Sequence, residues 1–147
     1  MIKTTLLLIL LLTFHSIVSS EPFTDNSDGT ITDLKTSLEW QQQDDNSSKP
    51  WLTALSYCEG LEIGSKTDWR LPNVKELGSI VDYSKNGPSI DETAFPDTES
   101  TYYWTSTSIS STYALYVEFA NGKTWYRKKD IAGLSGEQYV RCVRGGS

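Results

Sequence analysis

Lys123 to Lys129 (KTWYRKK) intersperse large aromatic rings with cations, a mixture able to recognise an acidic sugar. An aromatic face stacks on C–H groups while a guanidinium or ammonium meets sulfate or carboxylate. Ala114 to Ala120 (ALYVEFA) precede this run across Asn121-Gly122, a dipeptide that suits a two-residue type I′ hairpin turn. Alternation then puts Tyr116, Glu118 and Ala120 on one face, opposite Arg127, Trp125 and Lys123. Leu115, Val117 and Phe119 share the other face with Lys128, Tyr126 and Thr124, which reads as the core side near the turn. Tyr116, Lys123, Trp125, Arg127 and Lys129 are the candidate ligand-binding residues. A plainer reading stands beside this one. Trp125 packs on Trp104 or another core ring, and Lys-Arg-Lys is a solvated edge that deters aggregation.

Catalytic chemistry has fewer candidates. The single histidine, His15, sits in an apolar N-terminal stretch that reads as a leader. Once that is removed, no imidazole remains for a general base, a Ser-His triad or a zinc site. Asp68-Trp69-Arg70 resembles a reactive cluster, but it stands just before a helix. There Arg70 is expected to pair with a buried carboxylate and Trp69 to fill core. The carboxylate pairs Asp44/Asp45 and Asp91/Glu92 fall in loops, and sequence does not set the separation that glycoside hydrolysis needs. The acidic run around Asp28 fails the calcium-loop template. With Gly29 at the glycine position, Thr24 stands at the first ligand and Lys35 where a bidentate Glu belongs. No catalytic residue, metal site or cofactor is assigned, and the chain is expected not to be an enzyme.

Compartment follows from the first twenty residues. Lys3, the aliphatic run Leu6 to Leu12, and small residues Val18-Ser19-Ser20 read as a signal peptide over 1–20, with a retained N-terminal anchor as the alternative. The run is too short for a membrane span, and no cysteine follows it to carry a lipid. Residues 21–147 suit one domain with one core and no further membrane span. An exported chain with two cysteines, Cys58 and Cys142, is expected to oxidise them to each other, the alternative being two free thiols. The product is expected to be periplasmic, at the cell surface or secreted.

The elements that must position these residues are legible from pattern. Asp28-Gly29 predicts a turn, with short strands at Thr30 to Thr32 and Leu38 to Trp40 forming a meander. Pro50 opens a helix whose apolar stripe is Trp51, Ala54, Leu55, Cys58 and Leu61, ending by Gly60 to Gly64. Asn73 and Glu76 form a capping box for a second helix, with Val74, Leu77 and Val81 on one face to about Tyr83. A long connection over 86–100 is ordered by Ile90 and Phe95. Strands follow at Tyr102 to Ser108, in the hairpin, and at Tyr139 to Arg144.

Several blocks line up as a set: DGTITD with LEWQ, W-x-x-A-x-x-Y-C, DWRLPN-x-KEL-x-x-x-VDYS, FPDT with YWTSTS, V-x-F-x-x-G, and YVRCVRGG. Together they resemble the domain family typified by the C-terminal domain of the collagen-like adhesin Lcl, from Asp25 to Gly146. The resemblance implies an α+β, C-type-lectin-like fold, akin to sulfatase-modifying factors, in which two helices flank an irregular antiparallel sheet. It also implies one disulfide from a helix to the last strand, where Cys58 and Cys142 stand. Asp68, Trp69, Arg70, Pro72 and Trp104 lie in family blocks and are assigned structural roles. The adhesin is trimeric and binds sulfated glycosaminoglycans, although no collagen-like repeat is present here to impose a trimer. The EPN, QPD and Trp-Asn-Asp motifs of calcium-dependent lectins are absent. No cysteine is spare for formylglycine chemistry.

Charge narrows the partners. Residues 21–100 hold sixteen acidic and six basic residues, whereas 101–147 hold three acidic and six basic. The overall field repels nucleic acid, and cations concentrate in the last third. The leading expectation is an exported recognition module for anionic or surface glycans. The alternatives are an envelope module that meets another protein, and a hydrolase working through carboxylates alone.

Overall fold

The structure, a computed structural model, describes residues 21–129 and 136–145; the expected leader, 1–20, lies outside them. Short polar-apolar runs separated by tight turns build the front of the molecule. Strands β1 (Phe23–Asp25), β2 (Thr30–Asp33) and β3 (Glu39–Gln41) form an antiparallel meander. Gly29 adopts φ +86° in the first turn, where the Asp28 carboxylate accepts the Thr30 N–H at 3.1 Å. In the second turn, Asp33 accepts the Lys35 N–H at 2.8 Å. Trp40 and Ile31 point inward and are buried.

Helix α1 (Trp51–Glu59) starts after Pro50 and stops at Gly60. It lacks a side-chain cap, so burial of Trp51, Ala54 and Cys58 holds it. Helix α2 (Val74–Ser79) has the full capping box. Asn73 accepts the Lys75 and Glu76 N–H groups while Glu76 accepts the Asn73 N–H. It ends sooner than its apolar spacing predicts. Buried Ile80 closes it, and the Asp82 N–H then bonds Ser89 rather than the helix. Ile90 and Phe95 are fully buried and order the long connection.

Strands β4 (Tyr102–Ser108), β5 (Tyr113–Glu118) and β6 (Lys123–Lys128) form a second antiparallel sheet, and β7 (Val143–Arg144) joins the first beside β3. The fold is thus α+β with two antiparallel sheets, where one irregular sheet was expected. Two further expectations change. Glu118 pairs with Lys123, so residues 119–122 form a four-residue loop in place of the two-residue turn. Phe119 is withdrawn into the core, its N–H bonding Thr101 (2.7 Å) and its carbonyl accepting from Ser89 (2.6 Å). Gly122, at φ +74°, closes the loop; a Cβ there would come within 2.7 Å of Val81 and Tyr83. The closing strand is also broken up. Tyr139 bridges Tyr103, and Val143 bridges Arg70 and Trp40, so neighbours change along its length.

Two buried clusters share this frame. Ile31, Trp40, Leu77, Phe95, Tyr103 and Phe119 anchor one. Trp51, Trp69, Trp104 and the Cys58–Cys142 disulfide anchor the other. The disulfide joins α1 to the segment leading into β7, with a Cα–Cα distance of 5.5 Å. Nearby, the Arg141 guanidinium is fully buried. It donates to the Gln41 and Gln42 carbonyls and to Asp97 (3.0 Å) and Thr98 (3.0 Å), with Asp44 at 3.4 Å. No helix among the described residues is long and apolar enough to cross a membrane.

Candidate functional site

Tyr, Leu and Val favour a pleated surface, and in β5 they make a strand covered on both faces, with Ala114, Tyr116 and Val117 buried. β6 lies outside it at the sheet margin and is exposed along nearly its whole length. Its outer edge carries no strand among the described residues. The register sets Trp125 opposite Tyr116, Arg127 opposite Ala114, and Lys123 opposite Glu118. The shift by two residues preserves parity, so Tyr116, Lys123, Trp125 and Arg127 still share one face.

Trp125 is 61% exposed and stacks on Tyr126, which is itself 44% exposed, with ring centroids 5.1 Å apart. Arg127 lies over two rings, 5.2 Å from the Tyr102 centroid and 5.9 Å from that of Tyr116. Those rings meet edge to face at 4.9 Å, so the guanidinium rests on a fixed aromatic floor. Burial raises the Tyr116 hydroxyl pKa, so this ring stays neutral as a floor. Lys123 and Lys128 project into solvent. The assembly is a shelf: one open indole, a held guanidinium and the Lys123 ammonium, with Lys128 alternating to the opposite face.

Lys129 does not belong to it. It is 8% exposed, donates to the Ser110 carbonyl at 2.9 Å and sits 4.2 Å over the Trp51 ring. It is placed by contact with the start of α1, where the Trp51 N–H donates to the Lys129 carbonyl at 3.1 Å, which strand parity cannot reveal. Tyr126, conversely, had been placed on the core side. The position of β6 at the sheet margin leaves that side exposed, and the Tyr126 ring joins the shelf by stacking on Trp125. Tyr102 is a further floor residue that the hairpin pattern alone did not include.

The Asp68-Trp69-Arg70 block is spent on the frame. Trp69 is buried and donates to the Lys66 carbonyl at 2.9 Å. Arg70 makes a forked pair with Glu76, both bonds 2.8 Å, and donates to the Gly145 carbonyl. Asp68 receives Arg144 at 2.6 and 3.0 Å. Pro72 is buried, its carbonyl accepting the Ser106 N–H, and buried Trp104 donates to the Lys49 carbonyl at 2.9 Å.

The carboxylates divide by environment. Asp44 is buried, and desolvation holds its carboxyl above the ordinary value despite nearby Arg141 and the Tyr103 hydroxyl that donates to it at 2.8 Å. Asp45 pairs with Lys49. Burial alone would raise Glu39, yet hydrogen bonds from Lys66, Thr30 and Arg144 outweigh it and hold the carboxyl low. Among the described residues no group of three or more His, Cys, Asp or Glu is placed to hold a metal ion. The Arg141 and Glu39 networks went unseen in the sequence because their members lie far apart along the chain. A family model described as the Lcl C-terminal domain matches residues 29–144. No curated protein matches the chain.

Proposed function

The chain belongs to the Lcl C-terminal domain family, and from that premise we propose that it is an exported, non-enzymatic recognition module that binds anionic surface glycans through the β5–β6 shelf. The carrying observation is the exposed indole of Trp125 on an open strand, sharing its face with Arg127 and solvent-facing Lys123. A pyranose ring stacked on Trp125 would bring its sulfate or carboxylate to these cations. We take the architecture to be C-type-lectin-like. The helix-to-closing-strand disulfide supports that reading, as does a sheet built from the first and last strands of the chain.

A screen of sulfated, carboxylated and neutral glycans at two salt concentrations tests the proposal. Binding to the acidic glycans should weaken at high salt. Trp125→Ala and Arg127→Ala should each fold normally and lose about ten-fold or more in affinity. Full binding by both folded variants would remove the shelf as the site. One observation favours a second reading, a module that meets another envelope protein: the outer edge of β6 is unpaired among the described residues. Stoichiometric capture of a protein through this edge, without glycan binding, would support it.

A further inference from the structure

At the other sheet, β1 is also a margin strand, bonded among the described residues to β2 on one side only. Its ladder alternates. The Pro22 carbonyl accepts from Leu34 (3.0 Å) and the Asn26 N–H donates to Thr30 (3.1 Å), while Asp33, opposite Phe23, turns its N–H to Leu38 (2.9 Å). The N–H and C=O groups of Phe23 and Asp25 therefore face outward. Two clefts of about 290 and 240 Å³ adjoin this edge, and Phe23 and Asp91 line both. Ile31 and Ala94 give the first an apolar wall, and Ile80 and Val81 the second. Glu21 and Asp25 stand at the first and Asp82 at the second, whereas no Lys or Arg among the described residues lines either.

We propose that the β1 edge and its paired clefts dock an extended, cationic segment of a partner protein. Its main chain adds a strand to β1, meeting the outward groups of Phe23 and Asp25. Alternate apolar side chains enter the clefts, and intervening Lys or Arg side chains meet Glu21, Asp82 and Asp91. Charge complementarity selects this occupant, because among the described residues every charged side chain that lines the clefts is a carboxylate. A glycan would leave the apolar walls unused, and an isolated cation would leave the backbone edge unused. The surface is separate from the aromatic shelf and does not depend on its ligand.

A labelled peptide of alternating Lys and Val, followed by fluorescence anisotropy on the purified protein, tests this. The peptide should bind, and its Glu/Val counterpart should bind at least about ten-fold more weakly. N-methylation of alternate peptide amides removes main-chain donors without altering the protein, and should cost roughly ten-fold or more. Glu21→Gln with Asp91→Asn should weaken binding while preserving the acceptor for the Thr93 N–H. Trp125→Ala should leave it unchanged. Absence of Lys/Val binding, equal binding of the N-methylated peptide, or self-association that fills the edge would each overturn the proposal.

Discussion

Glu76 serves two structures with one carboxylate. It completes the capping box of α2 and takes the Arg70 fork, and those hydrogen bonds hold its carboxyl low against desolvation. Glu76→Gln keeps the capping acceptor but removes the charge from the fork. Urea unfolding should then show a loss of roughly 1 kcal/mol, since Arg70 is partly solvated. An unchanged midpoint would mean the pair contributes nothing. The box was legible because its members are three residues apart and follow a local rule. Lys129 was misread for the opposite reason. Its place over Trp51 arises where α1 packs beside the end of β6, and neither residue signals the other in sequence.

Elements were readable where periodicity and turn chemistry agreed. β4 emerges with the expected bounds, and α1 buries Trp51, Ala54 and Cys58 of the expected stripe, while Leu55 is partly buried and Leu61 falls beyond the helix end. The hairpin faces survived a register change of two because side chains alternate with a period of two. The turn itself was misjudged because Phe119 gains more from the core than from pairing at the tip. At this scale Glu39 ties β3 to β7 through Arg144, and to the 63–66 turn through Lys66. Its folded carboxyl lies below its ordinary value of 4.5, so its stabilising contribution is present above that value. It fades as pH falls through the folded value. Asp44, held high by burial, works in the opposite sense, its protonation relieving the folded state as pH falls. Glu39→Gln should therefore flatten the acid loss of stability below about pH 4.5 in urea titrations, and Asp44→Asn should leave that loss intact or steeper. Identical slopes in all three proteins would refute the assignment.

For the molecule as a whole, the disulfide spans a sequence separation of 84 and clasps α1 to the segment before β7. Replacing Cys58 and Cys142 by Ala should cost roughly 2–4 kcal/mol in urea unfolding. An unchanged midpoint would show that the clasp is dispensable. Compartment logic and the family blocks made this bond legible. The split into two sheets was not, since residues 139–144 change partners from Tyr103 to Arg70 and Trp40 within one extended run. The clasped frame leaves a rigid support beneath an open strand, which is the basis of the proposed recognition role. Amide chemical-shift mapping during titration with a sulfated oligosaccharide tests that role most directly. Shifts should concentrate at Tyr102, Tyr116 and Lys123 to Lys128, and should vanish with Trp125→Ala. Saturable binding with its shifts elsewhere, or no binding at low salt, would contradict the account.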